Sequence, residues 1–133
     1  MKRMLSILLL TLPMAAQGVR WEHTLASAQA RAKAEQKVIF LDLWAEWCGP
    51  CQALKRNVFP SAEAQAALAK VVPLEVMVES RNGERHPEGV ALATRYGLRA
   101  FPSLFLLDAD GKVIRSQVGA LSPEGLAKFL SVK

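Results

Sequence analysis

The chain has 133 residues, which is enough for one compact domain and short for two. Apolar residues make up 51% of it and charged residues 22%, a balance that supports a buried core and excludes a disordered chain. The net charge of +5 comes from scattered lysines and arginines without a basic stripe of interleaved aromatic residues, so we expect no nucleic-acid partner.

The first element is an N-terminal segment typical of a secretory signal peptide. Lys2 and Arg3 precede the apolar run 4–14, which is too short to span a bilayer and is followed by a small-x-small triplet at 16–18. We therefore expect residues 1–18 to be a cleaved signal peptide, residues 19–133 to form the mature domain, and the protein to be periplasmic or otherwise exported. A core helix and an uncleaved membrane anchor are the alternatives.

Helix and strand patterns alternate along the rest of the chain. Strands separated by helices predict a parallel pair, and two consecutive strands near the C-terminus predict an antiparallel hairpin. Pro60 must end or kink the helix before it, and Ser122 caps the last helix. In chain order the predicted elements are helix 25–36, strand 38–43, a helix from 48 or 51 to at least 56, helix 62–70, strand 71–78, helix 88–96, strand 103–107, strand 112–118 and a helix from 123.

The two cysteines of the chain lie in the segment Cys48-Gly49-Pro50-Cys51, at a predicted strand-to-helix turn. The start of a helix stabilises a thiolate at Cys48, and a thiolate is the nucleophile of disulfide exchange. Cys51, one turn later, can attack the mixed disulfide that Cys48 forms. Pro50 fixes the backbone at the helix start, and Gly49 lets a partner chain approach closely. The pattern therefore indicates a redox couple.

Two other uses of the cysteine pair are open. A permanent structural disulfide across so small a loop would add little entropic stabilisation. A structural metal site needs four ligands, usually in two pairs, and His23 and His86 are both unpaired in sequence. We therefore expect no metal ion, and we expect both histidines to be solvated at the surface. The sequence also contains no nicotinamide or flavin motif, so we expect no organic cofactor.

Asp42 closes the first predicted strand, six residues before Cys48. A buried carboxyl has a raised pKa and can take or give a proton. We therefore expect Asp42 to help deprotonate Cys51 in the resolving step. The alternative is a strand-end carboxylate in water.

Several segments resemble thioredoxins. Asp42–Cys51 (DLWAEWCGPC) resembles their active-site segment, and Arg99–Ser103 (RAFPS) resembles the family's loop with a cis proline facing the cysteines. Residues 96–99 resemble the stretch before that loop, and 118–120 (VGA) resemble the late glycine segment of the partner groove. The resemblance covers the chain from Val38 onward and implies a thioredoxin fold, with a central mixed sheet of four or five strands flanked by helices.

The resemblance also implies roles for individual residues. Cys48 would attack, Cys51 would resolve, and Asp42 would be the buried aspartate. Trp44 and Trp47 would be the tryptophans beside the motif, and ordinary core packing is the alternative for Trp44. The Cys48–Cys51 disulfide would be the redox group, and protein disulfides and dithiols would be the substrates of a monomer. The expected substrate-binding residues are Trp47, Gly49, Pro50, Phe101, Pro102 and Gly119.

The sequence gives conflicting signals about the direction of electron flow. The Gly49-Pro50 dipeptide resembles that of reducing thioredoxins, whereas export places thiols in an oxidising compartment. A reducing protein can work in an oxidising compartment if a membrane-bound thiol reductase reduces its cysteines again after each reaction. Residues 57–63 resemble the exported C-terminal domain of DsbD-type membrane reductases. We therefore predict a periplasmic reductase of mis-oxidised proteins or of thiols needed for cytochrome c maturation; a disulfide oxidant or isomerase and a non-catalytic binding module are the alternatives.

Two positions depart from the thioredoxin pattern. Glu75 falls where many thioredoxins have a lysine near the buried aspartate. A carboxylate there would raise the pKa of Asp42 further or point to solvent. The polar loop 79–87 is longer than in a minimal thioredoxin. We interpret it as an exposed charged insertion, and a role in partner choice is the alternative.

Overall fold

A computed structural model of the chain describes residues 18–132, which form a four-stranded sheet with helices packed on both faces. Within these residues the helices are α1 (Leu25–Glu35), α2 (Gly49–Ala53, continued by the π-helical segment Leu54–Val58), α3 (Ala62–Leu68), α4 (Pro87–Tyr96) and α5 (Pro123–Leu130). The strands are β1 (Ile39–Ala45), β2 (Val72–Glu79), β3 (Ser103–Leu107) and β4 (Val113–Val118).

The strands lie in the order β2-β1-β3-β4. β1 pairs parallel with β2 and antiparallel with β3, and β3 pairs antiparallel with β4. The predicted parallel pair, the antiparallel hairpin and the mixed α/β sheet are therefore confirmed. Beyond β2, Glu22 forms a single parallel bridge with Leu74, so the described residues contain four strands and not five.

β1 is a central strand that lies between two neighbours. Its apolar residues from Ile39 to Leu43 are fully buried, as expected of a strand covered on both faces. Pairing with β2 continues through Trp44 and Ala45, so β1 ends at Ala45, two residues beyond the predicted end. Asp42 is the one charged residue in this strand and is buried with it.

The helix after the cysteines follows the prediction at both ends. It begins at Gly49, continues past Ala53 as a π-helical segment, and ends at Val58, with Phe59 as the C-cap residue. The backbone N–H of Phe59 donates to the carbonyl oxygen of Leu54 at 2.9 Å, a spacing of five residues that is the π-helical pattern. Pro60, which has no N–H to donate, comes next and ends the helix.

Apolar side chains on the two faces of the sheet form two separate cores. One core lies between the sheet and the helices α1 and α4. The other lies between the sheet and the helices α2, α3 and α5, and it includes the aromatic rings of Trp21, Phe40 and Phe59. The first core includes the buried residues Leu25, Ala28, Ala32, Ile39, Leu41, Leu43, Leu74, Val76, Val78 and Leu92.

The predicted signal peptide lies outside the described residues except for Gly18. Among residues 18–132, no helix has both the length and the apolar character needed to cross a membrane.

Candidate active site

The two cysteines lie where β1 gives way to α2. Cys48 is the N-cap residue of α2, Pro50 lies in the first helical turn, and the two sulfur atoms are joined in a disulfide. The backbone N–H of Cys51 donates to Sγ of Cys48 at 3.2 Å. A helix start directs unpaired N–H groups at its cap residue, so this position stabilises negative charge on the sulfur once the disulfide is reduced.

Exposure separates the two sulfurs. Cys48 keeps 4% of its surface in contact with solvent, whereas Cys51 keeps 0%. The sulfur of a partner can therefore reach Cys48, whereas Cys51 is not accessible from the solvent. Cys48 is the residue predicted to attack and Cys51 the residue predicted to resolve.

Phe101 and Pro102 lie opposite the cysteines. Their peptide bond is cis, as the resemblance implied, and the Phe101 ring packs against the cluster of Ala45, Cys48 and Cys51. The backbone N–H of Gly119 donates to the carbonyl oxygen of Pro102 at 2.9 Å. Within residues 18–132 the N–H and C=O of Phe101 make no hydrogen bond, so both can pair with an extended partner strand.

The rim of this groove contains the other predicted binding residues. Trp47 is 53% exposed, and its ring meets the Phe101 ring edge to face at a centroid distance of 5.6 Å. A Cβ atom at Gly49 would meet no atom within 4 Å, so the surface beside Cys48 is open. Gly119 adopts a φ of 93°, a value that L side chains rarely adopt. The structure thus brings every predicted binding residue to one side of the disulfide or to the loop that faces it.

Asp42 lies in the central strand β1. Side chains alternate along a strand, so Asp42 shares a face of β1 with Phe40, and this is the face that α2 covers. Asp42 is fully buried, and neither carboxylate oxygen has a hydrogen-bond partner among the described residues. Burial raises the pKa of Asp42 from 3.8 to about 7; the ammonium of Lys55 opposes this rise and the carboxylate of Glu75 adds to it.

Lys55 is a charged residue of the site that the sequence reasoning missed. Its ammonium Nζ lies 2.7 Å from Oε2 of Glu75 and 3.5 Å from the ring centroid of Trp44. Lys55 follows Cys51 by four residues, so both lie on the side of α2 that faces the sheet. The four-residue spacing from Cys51 is the sequence pattern that could have identified Lys55.

Glu75 pairs in register with Asp42, which puts the two residues on the same face of the sheet. Both alternatives predicted for Glu75 hold in part, because its carboxylate raises the pKa of Asp42 and its side chain remains partly exposed.

The loop predicted at 79–87 is shorter than expected. Glu79 is the last residue of β2 and Pro87 the first residue of α4, so only residues 80–86 connect them. The connection is exposed and charged, as expected. The sequence did not predict its attachment to the active-site turn, where Glu79 accepts a hydrogen bond from the indole N–H of Trp47 at 3.1 Å.

The two histidines contact residues of β2 and of the connection that follows it. His23 is exposed, as predicted, with Nδ1 4.0 Å from Oε1 of Glu75. His86 is partly buried, and its Nε2 shares a hydrogen bond with the hydroxyl of Ser80. Among the described residues, no group of three or more histidine, cysteine or carboxylate side chains could hold a metal ion.

Sequence comparisons place these features among known proteins. A family model described as a thioredoxin-like domain matches residues 25–132. "Thioredoxin 2" of Chlorobaculum tepidum is 33% identical over 116 residues, which cover 85% of this chain and 94% of that one. The thiol:disulfide interchange protein DsbD of Klebsiella pneumoniae is 32% identical over 84 residues, which cover 63% of this chain and 13% of that protein.

Solved structures show the same fold. A disulphide-isomerase candidate from Bacteroides thetaiotaomicron superposes with a TM-score of 0.69 at 32% identity, covering 86% of this chain and 92% of that one. A DsbH oxidoreductase gives 0.67 at 26% identity, covering 86% and 85%. The oxidised C-terminal domain of Neisseria meningitidis DsbD gives 0.66 at 24% identity, covering 78% and 87%.

Proposed function

The chain belongs to the thioredoxin-like family and is a thiol-disulfide oxidoreductase, and from this premise we propose that it works as an exported reductase of protein disulfides. The observation that carries the proposal is the buried carboxyl of Asp42, which has no hydrogen-bond partner among residues 18–132 and lies on the sheet face beneath α2. A reductase must deprotonate its second thiol to release each substrate. A carboxyl with a pKa of about 7 is suited to take that proton near neutral pH.

The reaction begins at Cys48. In the reduced protein its thiolate, stabilised at the start of α2, attacks one sulfur of a partner disulfide. A new bond forms between Sγ of Cys48 and that sulfur, the partner's S–S bond breaks, and the partner's other sulfur leaves as a thiolate. The backbone N–H and C=O of Phe101, which make no hydrogen bond within the described part of the chain, hold the partner strand in an extended form during this step.

The second step is carried out by Cys51. The carboxylate of Asp42 takes the thiol proton of Cys51, and the resulting thiolate attacks Sγ of Cys48. The mixed disulfide breaks, the partner leaves as a dithiol after taking up protons, and two electrons have passed to it from the protein. Cys48 and Cys51 are then joined in the disulfide seen in the structure.

The residues between the cysteines support the proposed direction of electron flow. The Gly49-Pro50 pair is that of reducing thioredoxins, whose potential is about −270 mV, whereas the strong oxidant DsbA lies near −120 mV. The N-terminal segment 1–18 supports export. In an oxidising compartment the disulfide must be reduced again after each turnover, and a membrane-bound dithiol reductase is the donor that we propose.

The decisive measurement is the redox potential of the Cys48–Cys51 pair against glutathione. We expect a value close to that of thioredoxin. A value near −120 mV, on the scale of strong oxidants, would instead assign the protein to oxidation or isomerisation.

A second experiment tests whether the cysteines turn over and with which partners. The Cys51→Ala variant, expressed with its N-terminal segment, should accumulate mixed disulfides through Cys48, and Cys48→Ser should accumulate none. Reduction of insulin with dithiothreitol should be lost in Cys48→Ser. Full activity of Cys48→Ser would identify a binding module without catalysis.

A further inference from the structure

The turn that carries Cys48, which we call the active-site turn (residues 45–48), is held by hydrogen bonds to two different elements. On one side it is attached to the end of β2. The backbone N–H of Glu46 donates to the carbonyl oxygen of Glu79 at 2.9 Å, and the indole N–H of Trp47 donates to Oε1 of the same glutamate at 3.1 Å. These bonds fix the active-site turn relative to the sheet.

On its other side the active-site turn is attached to α2, and Gln52 makes two of the bonds. The backbone N–H of Gln52 donates to the carbonyl oxygen of Cys48 at 3.1 Å, and its side-chain Nε2 donates to the carbonyl oxygen of Glu46 at 3.0 Å. The first bond needs only a helical backbone, whereas the second needs an N–H donor on the side chain at position 52. Among residues 18–132, no other side chain of α2 donates a hydrogen bond to the active-site turn.

The disulfide duplicates this attachment in the oxidised protein. The S–S bond ties Cys48 to Cys51, and the backbone N–H of Cys51 lies 3.2 Å from Sγ of Cys48. Each turnover opens the S–S bond, so this link is absent while Cys48 attacks a partner. The N–H groups at the start of α2 can stabilise a thiolate on Cys48 only while the turn keeps its place against the helix, because hydrogen bonds weaken steeply when their geometry is lost.

We propose that Gln52 is a positioning residue for thiol-disulfide exchange: its amide holds the active-site turn against α2 when the disulfide is open, and thereby keeps Cys48 reactive as a thiolate. The proposal rests on the thiol chemistry of the proposed function and is independent of the direction of electron flow. A glutamine that only satisfied the carbonyl oxygen of Glu46 would stabilise both redox states equally and would not affect the ionisation of Cys48.

The test compares Gln52→Met with a matched control in the same protein, Gln65→Met. Methionine is close to glutamine in length and has no N–H donor, and neither exchange alters a charge. Gln65 lies in α3 and donates its Nε2 to the carbonyl oxygen of Phe59 at 2.6 Å, across the same separation of six residues. Both variants therefore lose one bond from an amide to a backbone carbonyl, but in Gln65→Met the lost bond is not one of the active-site turn.

The first measurement is the pH profile of Cys48 alkylation by iodoacetamide, made in a Cys51→Ala background in which the internal disulfide cannot form. The thiolate is the reacting form, so the midpoint of the profile reports the ionisation of Cys48. We expect Gln52→Met to move the midpoint to higher pH and to slow alkylation at pH 7 about threefold, a change within the contribution of one hydrogen bond. Gln65→Met should keep the profile of the background protein.

The second measurement compares the two redox states of the protein with both cysteines present. The backbone N–H of Cys48 donates to the carbonyl oxygen of Ala45 at 3.1 Å, and its hydrogen exchange reports how often the active-site turn opens. Gln52→Met should accelerate this exchange about threefold in the dithiol form, where the amide is needed, and should leave the disulfide form close to wild type.

Three outcomes would overturn the proposal. The first is an alkylation profile that Gln52→Met leaves unchanged, and the second is an equal shift in Gln52→Met and Gln65→Met. The third is equal acceleration of the Cys48 exchange in both redox states, which would assign the amide to folding stability alone. A failure of the reductase assignment appears elsewhere, as an oxidising redox potential with the effects of Gln52→Met on Cys48 intact.

Discussion

Asp42 and Glu75 are register partners in the parallel pair of β1 and β2, so two carboxyl groups lie side by side on the sheet face beneath α2. Lys55 lies in the π-helical continuation of α2, and its ammonium Nζ is 2.7 Å from Oε2 of Glu75. Among the described residues the carboxyl of Asp42 has no hydrogen-bond partner. The three groups form one electrostatic unit. Burial keeps Asp42 protonated up to about pH 7, and its two neighbours push its pKa in opposite directions.

The resolving step should depend on pH through Asp42. Asp42 acts as a base in its ionised form, so the rate at which Cys51 releases a mixed disulfide should rise with pH, with a midpoint near 7. Asp42→Asn should slow this step about 100-fold at pH 7 and move its midpoint towards the ordinary thiol range near 8.5. Rapid-mixing kinetics of the single turnover measure this. An unchanged profile in Asp42→Asn would remove Asp42 from the mechanism.

Substitutions of Lys55 and Glu75 should shift that midpoint in opposite directions. Lys55→Gln removes the cation that lowers the pKa of Asp42, so the midpoint should rise. Glu75→Gln removes the anion that raises it and frees the Lys55 ammonium, so the midpoint should fall. The double exchange Lys55→Glu with Glu75→Lys keeps one charge of each sign and is the control for loss of the pair itself. Shifts in the same direction for both single variants would indicate a packing effect.

The same carboxyl should make folding stability depend on pH. Burial raises the pKa of Asp42 from its ordinary value of 3.8 to about 7 in the folded protein, so the unfolded chain loses the proton first as pH rises. The stabilisation from keeping Asp42 neutral is complete below about pH 4 and is lost between about pH 4 and pH 7, a change of about 4 kcal/mol.

Urea unfolding at several pH values measures this loss. Relative to wild type, Asp42→Asn should gain about 4 kcal/mol between pH 4 and pH 8 because asparagine does not ionise. Asp110→Asn alters a carboxylate that is exposed to solvent and serves as the control. A wild-type curve parallel to that of Asp42→Asn would contradict the assignment of a raised pKa to Asp42.

Glu79 should position Trp47. Glu79→Ala removes the acceptor of the indole N–H, whereas Glu79→Gln keeps an oxygen at that place. One such hydrogen bond contributes about 1 kcal/mol, so protein-disulfide reduction should fall about fivefold in the alanine variant and remain close to wild type in the glutamine variant. The NMR signal of the Trp47 indole N–H reports on the bond directly and should move in Glu79→Ala alone. Equal effects of both variants would assign the loss to the charge of Glu79 instead.

Gly89 should be essential for packing α4 on the sheet. A Cβ atom there would overlap the carbonyl oxygen of Met77 and Cα of Val78, both of which are backbone atoms of β2. Gly89→Ala should therefore cost about 2 kcal/mol or more in the free energy of unfolding. Gly125→Ala, in α5, is the matched helical control: its closest neighbour is the Ser122 hydroxyl at 3.2 Å, and the change should stay within about 1 kcal/mol. Thermal or urea unfolding compares the two.

Most of the helices and strands could be predicted because the residues within each segment determine its local structure. The strand 103–107 and the helix after Ser122 begin where the sequence predicted them, since the apolar run and the Ser-Pro-Glu start allow little else. The ends of β1 and β2 were less predictable. β1 extends to Ala45 and β2 to Glu79 because each finds a pairing partner in the other, and such pairing is not visible within either segment alone.

The residues of the site that lie close together in the sequence could be predicted. Cys48, Cys51 and Asp42 lie within a stretch of ten residues, and the carboxyl of Asp42 is buried. The contributions of Lys55 and Glu79 depend on contacts that join α2 to β2 and β2 to the turn before Cys48. A contact between distant segments requires the register of the sheet, which the amino-acid pattern of either partner does not specify.

The burial of Cys51 affects how the protein responds to oxidants. Peroxide converts an accessible thiolate first to a sulfenic acid and then, irreversibly, to higher acids. Cys51, with no exposed surface, is shielded from this chemistry, and Cys48 meets the oxidant alone. A sulfenic acid on Cys48 lies beside a thiol that condenses with it and expels water, which returns the pair to the disulfide. Oxidation of Cys48 to a sulfenic acid therefore leads back to the disulfide, which is a normal state of the catalytic cycle.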